Sequence, residues 1–126
     1  MKRILVAEDD SHFRRALLET LYQEGYLTFT VEDGARALEN LKIYKPHLLI
    51  LDLKMPKIDG IELLKRIRTE QYSVPVMIVT AYKELAKDPE VAMGNIVTLM
   101  VKPIDLNVLK NKVNEMLKEV KEVKIK

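Results

Sequence analysis

The sequence predicts an α/β fold: one sheet of five parallel strands, wound with helices on both faces. Two observations predict it. Apolar runs of strand length alternate with segments of helical period along the chain, the pattern of strand–helix–strand units. The run from His47 to Leu51 is continuously apolar after its first residue, as expected for a strand buried on both faces. The 126 residues suit one compact domain. They are read as a single domain over 1–126, with 119–126 as a helix end or tail.

Each element has its own signal. Ile4 to Ala7 is a short buried strand. Ser11 can cap a helix from His12 to Glu24, with Phe13, Leu17 and Leu21 on one face and Gly25 as its stop. Leu27 to Val31 is the second strand, and Arg36 to Tyr44 a second helix that ends before Pro46. His47 to Leu51 is the third strand. Asp59-Gly60 then precedes a third helix, Ile61 to Thr69. Val76 to Val79 and Val97 to Val101 are the fourth and fifth strands. Asp105 caps the last helix, whose apolar stripe is Leu106, Leu109, Val113, Met116, Leu117 and Val120.

The fourth helix is the exception. Its segment, Lys83 to Asn95, contains Asp88-Pro89. Proline inside a helix costs about 3 kcal/mol, whereas at the first helical position it is favourable. The predicted fourth helix is therefore short, from Pro89 to near Gly94. At this length the flavodoxin-like strand order 2-1-3-4-5 is expected, with right-handed crossovers and a site beyond the carboxyl ends of the strands.

Composition excludes several classes. Formal net charge is +2, from 21 basic and 19 acidic residues. That balance lacks the clustered basic excess of a nucleic-acid binder. The Lys-rich end from Lys118 is interrupted by Glu119 and Glu122 and reads as a solvated helix end. There is no cysteine, hence no disulfide or thiol chemistry. No apolar run reaches the ~18 residues of a membrane span. Met1-Lys2-Arg3 leads into too short an apolar stretch for a signal peptide. A cytoplasmic location is the expectation.

The polar residues at the strand ends carry the chemistry. Glu8, Asp9 and Asp10 follow the first strand, Asp52 the third, Thr80 the fourth and Lys102 the fifth. Carboxylates crowded into a partly dry cleft repel one another. Mg²⁺, which takes carboxylates, carbonyls and waters, resolves that conflict. Lys102 adds positive charge on the other side. Phosphoryl transfer needs positioning and neutralisation of the equatorial oxygens. A metal, a lysine, a hydroxyl and backbone N–H groups meet that need, with Asp52 as nucleophile. Asp10, beside Ser11, suits a helix cap instead.

The chain resembles response-regulator receiver domains over nearly its whole length, closest in type to single-domain receivers. The matching pieces are Ile4 to Asp10, Leu51 to Pro56, Asp59-Gly60, Val79 to Ala81, and Lys102-Pro103. The resemblance implies that Asp52 is the phosphoacceptor. It implies that Glu8 and Asp9 form the acidic pair, Asp9 binding Mg²⁺ directly and Glu8 through water. The Lys54 carbonyl completes the protein ligands, and Thr80 and Lys102 contact the phosphoryl group. Ala81 leaves that group room, and the Lys102–Pro103 bond is cis. Lys54 and Tyr82, two residues after Asp52 and Thr80, are placed to shield the phosphoryl group from water. Phe13, Ala16, Pro103 and Ile104 are expected where a phosphohistidine-bearing partner docks. Arg15, Leu18 and Tyr22, on the opposite face of the first helix, form a rival patch.

Two departures from the family pattern stand out. Leu99 occupies the place, three residues before the lysine, where an aromatic switch residue is usual. The spacing from Gly94 to Lys102 is one residue longer than usual. His12 and His47 are expected to be structural.

The reading is a signalling phosphoacceptor rather than a turnover enzyme, served by a histidine kinase or histidine phosphotransfer protein, with a protein as possible downstream target. A haloacid-dehalogenase-like hydrolase is the first alternative. It would need an acidic residue where Lys54 stands. A scaffold that has lost phosphorylation is the second, and the full set Glu8, Asp9, Asp52, Thr80 and Lys102 speaks against it. The absence of a Pro-, Gly- or Ser-rich linker favours a stand-alone protein over a piece of a larger regulator.

Overall fold

The structure is a computed structural model that describes residues 1–55 and 57–118. Val120 and the 119–126 tail lie outside the described residues. Five parallel strands form one sheet in the order β2-β1-β3-β4-β5. They are β1 (Arg3–Ala7), β2 (Leu27–Val31), β3 (Leu48–Asp52), β4 (Val76–Thr80) and β5 (Ile96–Val101). The helices are α1 (Ser11–Gln23), α2 (Gly34–Tyr44), α3 (Gly60–Thr69), α4 (Pro89–Met93) and α5 (Leu106–Leu117). A short 3-10 helix, Lys83–Lys87, precedes α4.

The core has two layers, one on each side of the sheet. On one side Leu5, Leu49, Leu51 and Ile78 pack against Leu38 and Leu41 of α2 and Leu63 and Leu64 of α3. On the other, Ile4, Val6, Ile50, Met77 and Val79 pack against Leu17 and Leu21 of α1 and Leu109 and Val113 of α5. Strands β3 and β4 are buried at every position. That burial explains why they read as unbroken apolar runs.

Helix starts differ slightly from expectation. Asp10, not Ser11, caps α1, its side chain accepting the His12 and Phe13 N–H groups at 3.0 and 3.3 Å. A carboxylate there also complements the positive end of the helix dipole. Helix α2 begins two residues before Arg36, because Asp33 caps it by accepting the Arg36 N–H at 2.8 Å. The short fourth helix is as expected: Asp88 caps it and Pro89 opens it. Arg68 of α3 then grips Glu90 through both carboxylate oxygens, at 2.9 and 3.0 Å.

Strand β5 carries a one-residue bulge in the segment whose spacing was expected to be long. Ile96 pairs with Val76, but Thr98 pairs with Met77, leaving Val97 bulged out. A one-residue slip would reverse the facing of every later side chain. The bulge prevents that reversal. Leu99 packs with Ile78 on the α3 side, and Met100 with Val79 on the α1 side.

Candidate functional site

The buried polar side chains among the described residues are Glu8, Asp33, Asp52 and Thr80. Three of them sit at the carboxyl end of the sheet. Strand β1 delivers Glu8, β3 ends on Asp52 and β4 ends on Thr80. Lys102 follows β5, and its backbone N–H donates to the Thr80 carbonyl at 2.7 Å. The Lys102–Pro103 bond is cis, as expected.

Lys102 Nζ lies 3.2 Å from Asp52 Oδ2 and 2.9 Å from Glu8 Oε1. The other oxygen of each carboxylate is held by backbone. The Lys54 N–H donates to Asp52 Oδ1 at 3.1 Å, and the Asp10 N–H to Glu8 Oε2 at 3.0 Å. Thr80 Oγ accepts the Tyr82 N–H at 3.0 Å, which leaves its own O–H free to donate. Glu8 is fully buried, and that burial pushes its carboxyl up to about 7 although Lys102 draws it down. Burial works against the Lys102 charge too, but Glu8 and Asp52 outweigh it and hold its pKa above the usual lysine value.

Glu8, Asp9 and Asp52 each present a carboxylate oxygen, all within 4.8 Å of one another. Asp9 is exposed at the open side of the cluster. Glu8 Oε1 is buried and, though close to Lys102, makes no aligned hydrogen bond. An oxygen-only donor set with surplus negative charge suits Mg²⁺ rather than a softer metal.

Lys54 and Tyr82, expected as a shielding pair, lie together: Lys54 Nζ is 5.6 Å from the centroid of the Tyr82 ring, which joins the loops after β3 and β4. Ala81 is exposed beside them. Phe13 and Ala16 on α1 are half-buried, while Pro103 is exposed and Ile104 half-buried on the loop before α5. The two histidines stand apart from this chemistry. His47 Nδ1 accepts the Arg3 N–H at 3.0 Å, beyond the opposite end of β3 from Asp52, and burial and nearby cations lower its pKa. His12 is exposed in the first turn of α1.

Three supports come into view with the structure, two of them with no signal in the sequence. Arg14 Nη1 donates to the Glu8 carbonyl at 3.0 Å and fixes the loop after β1. Gly34 lies so close to the Ile58 carbonyl that any Cβ there would overlap it. The adjacent buried Asp33 pairs with Lys57 at 3.7 Å, so the α2 start clamps the loop that follows Asp52. A Cβ on Gly60 would sit 2.7 Å from the Asp52 carbonyl, which makes glycine necessary for α3 to start against the end of β3. The Asp59-Gly60 pair was a visible signal for that last contact. Nothing local marks the other two.

Comparison with known proteins agrees with this geometry. Residues 4–114 match the response regulator receiver domain. Sporulation initiation phosphotransferase F of Bacillus subtilis is 35% identical over 92% of this chain and 94% of its own length. The response regulator receiver protein CpdR of Brucella abortus is 36% identical over 93% of this chain and 98% of its own. The crystal structure of response regulator TrrA from Thermotoga maritima, in complex with Mg²⁺–BeF, superposes with a TM-score of 0.83. It is 35% identical and covers 93% of this chain and all of that one. With this fold and this acidic cluster at its strand ends, the chain belongs to the response regulator receiver domain family and is a receiver domain of two-component signalling.

Proposed function

We propose that Asp52 accepts a phosphoryl group from a phosphohistidine on a histidine kinase or histidine phosphotransfer protein. The observation that carries this reading is the placement of Asp52. Its carboxylate lies 3.2 Å from the Lys102 ammonium and within 4.8 Å of oxygens of both Glu8 and Asp9. An Asp52 oxygen attacks phosphorus, forming an O–P bond as the P–N bond to imidazole breaks. The electron pair of that bond stays on the imidazole nitrogen. Lys102 and the Thr80 hydroxyl neutralise and orient phosphoryl oxygens. The hydrogen bond from Lys54 N–H to Asp52 Oδ1 fixes the plane of the nucleophile. Asp9, Asp52 and the Lys54 carbonyl would hold Mg²⁺, with Glu8 acting through water. When bound, the ion offsets negative charge on the carboxylates and the incoming phosphoryl group.

Phe13, Ala16, Pro103 and Ile104 form the rim on which the donor docks. The protein is a phosphoacceptor that acts by changing shape toward a protein target, and its location is the cytoplasm, where ATP-charged kinases supply phosphohistidine. No helix of the described residues is long and apolar enough to cross a membrane. A dehalogenase-like hydrolase is disfavoured because Lys54, at the position of its general acid, has an exposed cationic side chain.

The test is incubation with acetyl phosphate and Mg²⁺. Intact mass should rise by one phosphoryl group, and Asp52→Asn and EDTA should each abolish the rise. Modification that survives Asp52→Asn overturns the assignment.

A further inference from the structure

Lys102 has a third partner besides its two carboxylates. Its Nζ lies 4.8 Å from the centroid of the Phe13 ring, within the ~6 Å range of a cation–π contact. Phe13 sits in the first turn of α1, its N–H bonded to Asp10 Oδ1 at 3.3 Å. Its ring packs on the layer that contains Val6, Leu17, Val79 and Leu109. The ring is therefore held in place by the helical turn that directly follows the acidic pair. The setting is also dry, since Glu8 is fully buried and the Lys102 side chain only 19% exposed. Cation–π attraction is strongest where water is excluded.

We infer that Phe13 is a positioning residue for phosphotransfer, its ring face holding the Lys102 ammonium where it can meet the phosphoryl group on Asp52. This inference rests on the reading of Asp52 and Lys102 above. The physical case turns on what changes during the reaction. Lys102 has three N–H donors, and its contacts include Glu8 Oε1 at 2.9 Å and Asp52 Oδ2 at 3.2 Å. Phosphorylation neutralises the Asp52 carboxylate and moves negative charge onto the phosphoryl oxygens, so the contact to Oδ2 must be exchanged. A ring neither takes up a proton nor competes for the phosphoryl group. It stays in place while the ammonium swings, and its bulk excludes water from that flank. A leucine there would keep the apolar packing but lose the π face.

The test replaces Phe13 with 4-fluoro-, 3,5-difluoro- and 3,4,5-trifluorophenylalanine, introduced at that codon alone. These rings keep nearly the same shape while draining the negative potential of the face. Phosphorylation of Asp52 by acetyl phosphate should slow stepwise through the series, by about three- to tenfold at the trifluoro ring. Phe13→Leu should slow it by a similar factor, and Phe13→Tyr should stay within about twofold of the unmodified protein. Acetyl phosphate needs no docking, so the result is separate from any part Phe13 plays in partner binding. The second measurement needs no phosphorylation. The Lys102 side-chain methylene protons should show an upfield ring-current shift by NMR that Phe13→Leu abolishes and Phe13→Tyr retains. A flat rate across the fluorinated series, with Asp52 still modified, overturns the inference and leaves the phosphoacceptor reading standing. Identical Lys102 resonances in the unmodified protein and Phe13→Leu overturn it whatever becomes of that reading. Loss of phosphorylation in the unmodified protein would instead count against Asp52.

Discussion

The Glu8 carboxylate and the Lys102 ammonium meet at 2.9 Å although their strands, β1 and β5, are separated in the sheet by β3 and β4. The loop after β1 and the loop after β5 reach over the ends of the two central strands. Asp52 and Thr80 end those two strands, Asp52 Oδ2 lying 3.2 Å from the same ammonium.

This pair has a pH signature in the metal-free protein. Burial raises the Glu8 carboxyl from its ordinary value of 4.5 to about 7 in the folded state. Between those values the folded protein holds a proton that the unfolded chain has released. Stability should therefore be highest below pH 4.5 as far as this group is concerned, and should fall as pH rises to about 7. Denaturant titrations in EDTA should show that slope, and Glu8→Gln should flatten it. Lys102→Met strands the Glu8 charge and should cost about 3–5 kcal/mol at pH 8. Adding Glu8→Gln to Lys102→Met should recover most of the loss.

The lifetime of the phosphoryl group is predicted to depend on Lys54 and Tyr82. Their contact, 5.6 Å from ammonium to ring centroid, joins the loops after β3 and β4, and the prediction is that it shields the phosphoryl group from in-line attack by water. Slow self-hydrolysis is expected, suited to a relay. Replacing both with Ala should speed loss of phosphate by about tenfold or less, followed by intact mass after the donor is removed. An unchanged or slower rate would refute the shielding role.

The conformational response is expected in the Lys83 to Asn95 segment. Leu99 has neither the hydroxyl nor the ring of an aromatic switch residue, and packs in the layer that includes Ile78 and Val91. Amide exchange should change most in Lys83 to Asn95 on beryllofluoride binding. Arg68→Gln, which weakens the hold on Glu90, should speed exchange there before activation. A response in β5 around Leu99 with a silent Lys83 to Asn95 would contradict this.

Partner docking separates from chemistry by choice of donor. Ile104→Ala and Ala16→Glu should slow transfer from the cognate phosphohistidine protein and spare acetyl phosphate. Equal slowing with both donors would mean that the residues serve the fold or the site. Leu18 and Tyr22 face solvent on α1 at 36% and 75% exposure. If only Leu18→Glu and Tyr22→Glu slow transfer from the partner, that rival patch is the docking surface.

Local sequence determined the elements and the rim. Strands β3 and β4 were legible because a strand buried on both faces is apolar throughout. The short α4 was legible because Asp88-Pro89 permits a helix to start but not to continue through it. Glu8, Asp9, Asp52, Thr80 and Lys102 were legible as a set, because parallel strands carry their C-terminal residues to one edge. Tertiary structure alone decided the partnerships among them. The Glu8–Lys102 pair, the Phe13 ring beside Lys102 and the Asp33–Lys57 clamp join residues distant in sequence. No periodicity links such residues, and their distances follow from how the loops fold over the sheet end. The Val97 bulge belongs between these cases. The spacing of the segment led to the expectation of an extra residue, but which residue leaves the ladder was settled by Leu99 and Met100, each of which must keep its own side of the core.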